Sequence, residues 1–169
     1  MTAGATTPDL TAYQDTTDIQ RVLHSTRTIA VVGLSKNELR ASHFVGYYLL
    51  RHGYRMVPVN PRETEILGQR SYPSLRAARD AVGPIDLVDV FRAPDALPGI
   101  VAESIEIGAS ALWCQFGVID LEAARTATEA GMTVIMDRCL KVEHARYVGR
   151  MHWLGFNTSR ITAVRGGIQ

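Results

Sequence analysis

The sequence Thr28-Ile-Ala-Val-Val-Gly33 is a short apolar run that ends in glycine, and it decides the fold. Apolar, β-branched residues without polar alternation are typical of a strand that is buried on both faces of a parallel sheet. A helix-length segment follows and stops near Gly53, and Tyr54-Arg-Met-Val-Pro-Val59 is a second strand-like run. Strand, helix and strand together span about 30 residues, which is the length of one βαβ unit.

The helix predicted between these two strands has an apolar face. Its members recur at helical spacing and are Phe44, Val45, Tyr48 and Leu49. Side chains three or four positions apart lie on the same side of a helix, so we expect this face to pack on the sheet.

The same alternation of strands and helices continues along the chain. Further strands are predicted at 87–91, 111–116 and 133–137. Further helices are predicted at 17–25, after Ser74, at an opening that Pro94 and Pro98 flank, after Asp120 and at 140–150. This order predicts an α/β fold, a single doubly wound domain with a five-stranded, mostly parallel sheet and helices on both faces. The predicted domain covers residues 17–150, between a partly flexible segment 1–16 and a C-terminal extension 151–169.

The composition is that of an ordinary globular protein and excludes several classes. Of the 169 residues, 46% are hydrophobic and 21% are charged, and the formal net charge is +1. This balance gives no broad basic field, so we expect no nucleic-acid partner. No apolar run approaches the ~20 residues of a membrane helix, and residues 1–18 lack the pattern of a signal peptide. Two cysteines, Cys114 and Cys139, favour a reduced, cytoplasmic protein.

Polar side chains and glycines gather where the predicted strands end. These residues are Gly33, Ser35, Lys36, Arg40, Ser42, Asn60, Pro61, Arg62, Phe91, Arg92, Gln115 and Gly117. Ligands of doubly wound sheets bind at the carboxyl ends of the strands. Hydroxyl, amide and guanidinium groups donate hydrogen bonds to phosphate, and glycine lets the backbone approach a ligand closely. We therefore expect an anionic, nucleotide-like ligand at this edge of the sheet.

The marks of a nicotinamide dinucleotide site are missing. That fingerprint requires G-x-G-x-x-G after the first strand and an acid at the end of the second strand. Here Gly33 is the one glycine of the first loop, and the second strand ends in Val59-Asn60. The sequence therefore disfavours NAD.

Catalytic and metal-binding motifs are also missing from the sequence, which has no nucleophile elbow and no zinc-ligand spacing. Glu143 and His144 are interpreted as a surface pair, and Cys114 as a core residue inside a strand. Cys139 follows Arg138 at the start of the last predicted helix, where a helix N-terminus and a cation lower a thiol pKa. The alternative, a small buried side chain that closes the strand–helix junction, stays open.

From about Thr17 to Tyr147 the chain resembles the small single-domain CoA-binding proteins of bacteria and archaea. It is similar in the same region to the CoA-binding Rossmann domain of the succinyl-CoA ligase alpha subunit and of NDP-forming acyl-CoA synthetases. The matching segments are Ile29-Ala-Val-Val-Gly-Leu-Ser35, His52-Gly-Tyr-Arg-Met-Val-Pro-Val-Asn-Pro61, Val88-Asp-Val-Phe-Arg92, Trp113-Cys-Gln-Phe-Gly117 and Met136-Asp-Arg-Cys-Leu-Lys-Val-Glu-His144.

The resemblance implies that CoA lies across the carboxyl edge of the sheet. The residues expected to bind it are Gly33, Leu34, Ser35, Lys36, Arg40, Ser42, Val59, Asn60, Pro61, Arg62, Phe91, Arg92, Gln115, Gly117, Arg138 and Cys139. The chain departs from the family at Arg40-Ala41-Ser42, where relatives commonly have Arg-Pro-Ser. The phosphohistidine of the ligases lies on a further domain that nothing in this sequence matches, so ligase activity is not carried over.

Three functional hypotheses follow. The first is a CoA-binding or acyl-CoA-binding module that is not catalytic on its own and serves an enzyme partner. The second is an NAD(P)-dependent oxidoreductase on the same fold, and the third is a thiol redox protein that pairs Cys139 with CoA. A homodimer is a further expectation, because the predicted sheet has edge strands.

Overall fold

The computed structural model describes residues 6–149 of the chain. The strands within this range are β1 (Thr28–Val32), β2 (Arg55–Val59), β3 (Glu65–Ile66), β4 (Gln69–Arg70), β5 (Leu87–Val90), β6 (Ala111–Cys114) and β7 (Thr133–Met136). The α-helices are α1 (Thr16–Ser25), α2 (Ala41–Arg51), α3 (Leu75–Val82), α4 (Leu97–Glu106), α5 (Leu121–Glu129) and α6 (Leu140–Tyr147). Among the described residues, no helix is both long and apolar enough to cross a membrane.

Five strands form one parallel sheet in the order β2-β1-β5-β6-β7. The predicted doubly wound, five-stranded sheet is therefore confirmed. The chain passes from β1 to β2 on one side and then crosses to β5 on the other side of β1. The loops after β1 and β5 diverge at this reversal of strand order, and such a point is where open α/β sheets bind ligands.

Helices cover both faces of the sheet. One core cluster joins the sheet to α3, α4 and α5, and the other joins it to α1, α2 and α6. Every residue of β1, β5 and β6 is buried, which explains why these strands read as apolar runs without alternation. Asp89 is the charged exception in β5.

A small antiparallel hairpin, β3–β4, was not predicted from the sequence. Its strands have two residues each, so they carry no detectable periodicity. Leu67 and Gly68 form its turn with φ values of 53° and 72°. Tyr72, just after the hairpin, pairs with Val59, and the hairpin thereby stays beside the carboxyl end of β2.

Two predicted elements end two or more residues earlier in the structure, and other predicted bounds differ by one residue. The strand expected at 111–116 ends at Cys114, because the backbone turns at Gln115 and reaches a φ of 78° at Gly117. The helix expected at 140–150 ends at Tyr147. The predicted extension 151–169 lies outside the described residues, and the proposed division of the chain stays a prediction.

The segment before α1 is tied to the sheet. Leu10 and Tyr13 pack against the core, and the Gln14 amide donates a hydrogen bond to the Met136 carbonyl at 3.1 Å. Arg138 in turn donates to the Gln14 side-chain oxygen at 3.0 Å. These contacts hold the segment along β7, the strand at one edge of the sheet.

The apolar face predicted for α2 is partly wrong. Val45 and Leu49 are buried as expected, but Tyr48 is half-buried and Phe44 is 56% exposed. Helix α2 buries Gly46 and leaves Phe44 exposed, and a Cβ at Gly46 would lie 2.9 Å from Leu34 Cδ1. The helix therefore packs closely on the loop after β1 through a glycine, and the Phe44 ring is on the outer side.

The expectation of a surface pair at Glu143 and His144 is wrong. Both side chains are buried, at 3% and 4% exposure. Glu143 accepts hydrogen bonds from the buried Arg146 guanidinium at 3.2 and 3.4 Å, and Arg138 lies 3.9 Å away. Glu143 and Arg146 lie on the buried side of α6. A charged side chain loses its hydration when it is buried, and here each of the two compensates the charge of the other.

Candidate functional site

A cleft of about 500 Å³ opens at the carboxyl ends of β1, β2 and β5. It lies at the reversal of strand order, where the doubly wound fold predicts a ligand. Its lining residues are Gly33, Ser35, Arg40, Ala41, Ser42, Asn60, Pro61, Arg62, Phe91 and Arg92. Nine of these ten were predicted from the sequence, and Ala41 is the residue that was missed.

Gly33 allows the first loop to leave β1 close to β5. Its φ is +84°, and its N–H donates to the Val59 carbonyl at 3.0 Å. A Cβ at this position would lie 2.9 Å from Arg92 Cδ and 2.9 Å from the Phe91 carbonyl oxygen. Only glycine fits both the backbone conformation and the space, and its backbone stays open to the cleft.

Hydrogen bonds fix the loop between β1 and α2. Ser42, in the first turn of α2, accepts from the Ser35 N–H at 3.0 Å, and His43 Nδ1 donates to the Ser35 carbonyl at 2.9 Å. Ser35 Oγ accepts from the Asn37 N–H at 3.1 Å. His43 thus positions the loop, a role that no motif in the sequence indicates.

Asn60 joins the second wall of the cleft to the first. Its amide donates to the Leu34 carbonyl at 3.0 Å, and its side-chain oxygen accepts from the Arg62 N–H at 2.9 Å. Ser71 Oγ donates to the Asn60 carbonyl at 3.1 Å, so the segment after the β3–β4 hairpin supports this wall. Backbone turns and these hydrogen bonds therefore give the cleft its shape without a ligand.

The cleft carries an excess of positive charge. Arg40, Arg62 and Arg92 are exposed at its rim, and none of them forms a salt bridge with an acid of residues 6–149. Lys36, also predicted at this site, does not line the cleft and lies 3.6 Å from Glu63. Three guanidinium groups that have no ion-pair partner in the described part of the chain share one opening, and they suit a ligand with several phosphates.

Several other predicted site residues lie outside the cleft lining. Leu34 and Val59 are buried in the two core clusters. Gln115 is buried, and its amide donates to Asp89 Oδ1 at 2.7 Å. The Gly117 N–H donates to Asp137 Oδ1 at 2.8 Å.

Asp89 lies deep in the sheet below this edge. Its side chain is fully buried, and Oδ2 has no hydrogen-bond partner among the described residues. Burial raises the pKa of Asp89 to about 7, while the hydrogen bond from Gln115 acts in the opposite direction. Near neutral pH this carboxyl group is therefore only partly ionised.

Arg138 and Cys139 follow β7 and lie away from the cleft. Arg138 is held by Gln14 and Glu143. Cys139 is the residue before α6 and is half-buried, and burial raises its thiol pKa. Of the two alternatives left open at Cys139, the raised pKa favours the buried side chain at the strand–helix junction, because desolvation of the thiolate outweighs the hydrogen bonds from the start of α6. Cys114 is buried in β6 as predicted, and burial raises its pKa as well.

A second cleft, of about 480 Å³, opens at the amino ends of β1 and β2. It is lined in part by His24, His52, Tyr54 and His144. The Tyr48 hydroxyl lies 2.9 Å from His144 Nδ1, and the ring centroids of His52 and His144 are 5.1 Å apart. In the described part of the chain, no three or more His, Cys, Asp or Glu side chains are placed to hold a metal ion.

The chain matches a known protein family over most of its length. The family model described as CoA binding domain matches residues 27–145, which include every residue that lines the first cleft. The protein YneT of Bacillus subtilis (strain 168) is 43% identical over 128 residues, covering 76% of this chain and 93% of that protein.

Solved structures show the same fold. A hypothetical protein from Pyrococcus horikoshii OT3 is 35% identical with a TM-score of 0.77, covering 85% of this chain and 99% of that chain. The cell-free ID.343 protein from Thermus thermophilus is 38% identical with a TM-score of 0.73, covering 79% and 99%. The dinucleotide-forming acetyl-coenzyme A synthetase 1 of Ca. Korarchaeum cryptofilum is 25% identical with a TM-score of 0.56. That match covers 68% of this chain and 26% of the synthetase.

Proposed function

This chain belongs to the family of CoA-binding domains, and from that premise we propose that it binds CoA and acyl-CoA in the cleft at the carboxyl ends of β1, β2 and β5. The observation that carries the proposal is the set of three arginines, Arg40, Arg62 and Arg92, around a preformed cleft at the reversal of strand order. None of the three is paired with an acid of residues 6–149. CoA carries three phosphate groups at its nucleotide end, and guanidinium forks match phosphate oxygens.

The remaining lining residues suit the nucleotide end of this ligand. Gly33 leaves backbone accessible beside Arg92, and Ser35 and Ser42 bring hydroxyl groups to the same wall. Phe91 adds an aromatic ring that is half-buried at the end of β5. Because recognition rests on phosphates and not on the thiol end, we propose that free CoA and acyl-CoA both bind.

The chemistry of the lining supports a binding module over a catalyst. None of the ten lining residues within 6–149 is Asp, Glu, His or Cys, the side chains that most often transfer protons or act as nucleophiles near neutral pH. The chain in this proposal holds CoA for an enzyme partner. The enzyme partner, a homodimer and a cytoplasmic location stay predictions from the sequence.

The geometry also favours CoA over NAD. A dinucleotide site uses a carboxylate after the second strand to bind the ribose hydroxyls. Here Asn60 occupies that position, and its amide and oxygen are already engaged by Leu34 and Arg62. The redox alternative loses support as well, because Cys139 does not line the cleft and its pKa is raised.

Isothermal titration calorimetry with CoA, acetyl-CoA, 3′-phosphoadenosine 5′-diphosphate and NAD tests the proposal. We expect saturable binding of the first three ligands, because all of them carry the 3′-phosphate and the diphosphate. NAD should bind more weakly than CoA by roughly tenfold or more, since it has no third phosphate group. Equal or tighter binding of NAD would overturn the proposal.

A further inference from the structure

We propose that the outward face of α2 is a docking surface for an acidic, amphipathic helix of a partner protein. The surface, here the α2 stripe, consists of Arg40, Phe44, Tyr47 and Arg51. It lies beside the first cleft, because Arg40 and Ala41 at the start of α2 also line that cleft.

The α2 stripe follows from helical geometry. At about 100° per residue, the four positions fall within an arc of about 60° on the helix surface. The residues that α2 buries are Ser42, Val45, Gly46 and Leu49, and these lie on the opposite side. An amphipathic surface helix is expected to carry polar side chains on its outward face. Here two aromatic rings lie on that face between the two arginines.

Both rings are accessible to a partner. Phe44 is 56% exposed, Tyr47 is 51% exposed, and Leu39 in the preceding loop is 87% exposed. The Arg51 guanidinium carbon lies 5.9 Å from the centroid of the Tyr47 ring. Aromatic and arginine side chains that lie next to each other on a surface are typical of the residues that contribute most to protein–protein binding.

The basic residues along the α2 stripe favour an acidic partner. Residues 39–52 contain Arg40, His43, Arg51 and His52 and no acid, and Glu38 is the nearest carboxylate along the chain. A helix with leucines on one face and carboxylates beside them matches this pattern, because its charges face the two arginines and its leucines face the two rings.

A second copy of this chain fits the stripe less well. Two-fold symmetry brings the same patch of each subunit together. Such an arrangement would place Arg40 and Arg51 of one copy against the same cations of the other. A membrane also fits less well, since recognition of anionic lipid usually needs a cluster of about four to eight basic residues.

The inference goes beyond CoA binding and is tested separately from it. The probe is a synthetic, fluorescently labelled helical peptide with leucines on one face and glutamates flanking them. A control peptide has the same sequence with lysine at every glutamate position. Anisotropy titrations compare the full chain with F44S/Y47S, R51E and I105S. The last variant removes an exposed apolar side chain from α4 and serves as the matched control.

We expect the glutamate peptide to bind the wild type and to bind more weakly as salt is added. F44S/Y47S should weaken this binding roughly tenfold or more, because two aromatic contacts are lost. R51E should weaken it and improve binding of the lysine peptide, whereas I105S should have no effect. CoA titrations of F44S/Y47S should match the wild type, which separates this proposal from the proposed function.

The docking proposal would be overturned if the glutamate peptide did not bind, if the lysine peptide bound equally well, or if I105S lost as much binding as F44S/Y47S. It would also be overturned if sedimentation showed a wild-type dimer that F44S/Y47S dissociates. Binding to phosphatidylserine vesicles without binding to the peptide would likewise replace the protein partner with a lipid surface.

Discussion

Arg92 brings together two parts of the cleft. It follows β5 closely, and its aliphatic stem lies where a side chain at residue 33 would be, so Gly33 and Arg92 depend on each other. Its guanidinium group is exposed at the rim beside Arg40 and Arg62. A planar fork held in this way is suited to two oxygens of one phosphate group.

The first prediction concerns this arginine. Replacing it in R92A should weaken CoA binding by about 1.5–3 kcal/mol, the contribution of a hydrogen bond to a charged group. This corresponds to roughly 10- to 150-fold in the dissociation constant measured by calorimetry. R92K should recover only part of the affinity, because an ammonium group does not form the two-point contact.

The matched control for R92A is R79A, which removes an exposed arginine of α3 that does not line the cleft. Its CoA affinity should equal that of the wild type. Unchanged affinity in R92A, or an equal loss in R79A, would show that Arg92 does not contact the ligand.

The buried carboxyl group of Asp89 lowers the stability of the fold when it is ionised. Burial favours its protonated form, so in the folded protein its pKa is about 7 instead of 3.8. A group whose pKa is raised on folding contributes most to stability below its unfolded pKa, and this contribution is lost as the pH rises toward the folded value. The carboxyl group therefore destabilises the fold increasingly between about pH 4 and pH 7.

The second prediction is that D89N removes this dependence. The amide introduced in D89N retains an oxygen that can accept from Gln115, and it carries no charge. The free energy of unfolding of D89N minus that of the wild type should increase by on the order of 3 kcal/mol from about pH 4 to pH 8. Urea denaturation at both pH values measures this difference. A stability difference between the two proteins that does not change with pH would contradict the assigned role of burial.

At the scale of elements, α6 contacts α2 through the buried side chain of His144. His144 is buried, lies 2.9 Å from the Tyr48 hydroxyl, and is close to the rings of His52 and Tyr54. Burial lowers the pKa of His144 to about 4, and the neighbouring His52 and His24 contribute to this lowering. The folded protein therefore holds this imidazole neutral.

The third prediction is an acid-dependent weakening of this contact. A histidine whose pKa is lowered on folding contributes stability above its unfolded pKa of 6.5, and that contribution is lost as the pH falls toward about 4. The midpoint of urea denaturation should fall more steeply over this range in the wild type than in H144Q, whose side chain does not titrate. Parallel curves for the two proteins would show that His144 does not cause the effect.

The helices and strands could be predicted where the pattern is long and consistent. Buried strands such as β1 and β5 appear in the sequence as apolar runs, and Asp120 and Ser74 appear as helix caps that the structure confirms. The β3–β4 hairpin could not be predicted, because two residues per strand give no period. The burial of Phe44 was predicted wrongly, because helical spacing alone does not tell which side of α2 is buried. In the structure the buried side includes Gly46, which lies close to Leu34.

For the whole molecule, the order of the strands decides which of the predicted site residues meet. Residues after β1, β2 and β5 converge because these strands are neighbours at the reversal of strand order. Those after β6 and β7 lie farther along the edge, and there Gln115 and Arg138 are engaged by Asp89 and Gln14. Sequence reasoning identified the strand ends, but the side-chain partners at each end required the structure.

Amide chemical shifts of the isotope-labelled protein, followed by NMR during a CoA titration, test most directly whether CoA binds at the carboxyl edge of the sheet, in the cleft between β1, β2 and β5. We expect saturable shifts that are largest at Gly33, Ser35, Asn60 and Arg92, which line this cleft. Largest shifts around His24, His52 and Tyr54, in the cleft at the opposite edge, would contradict it.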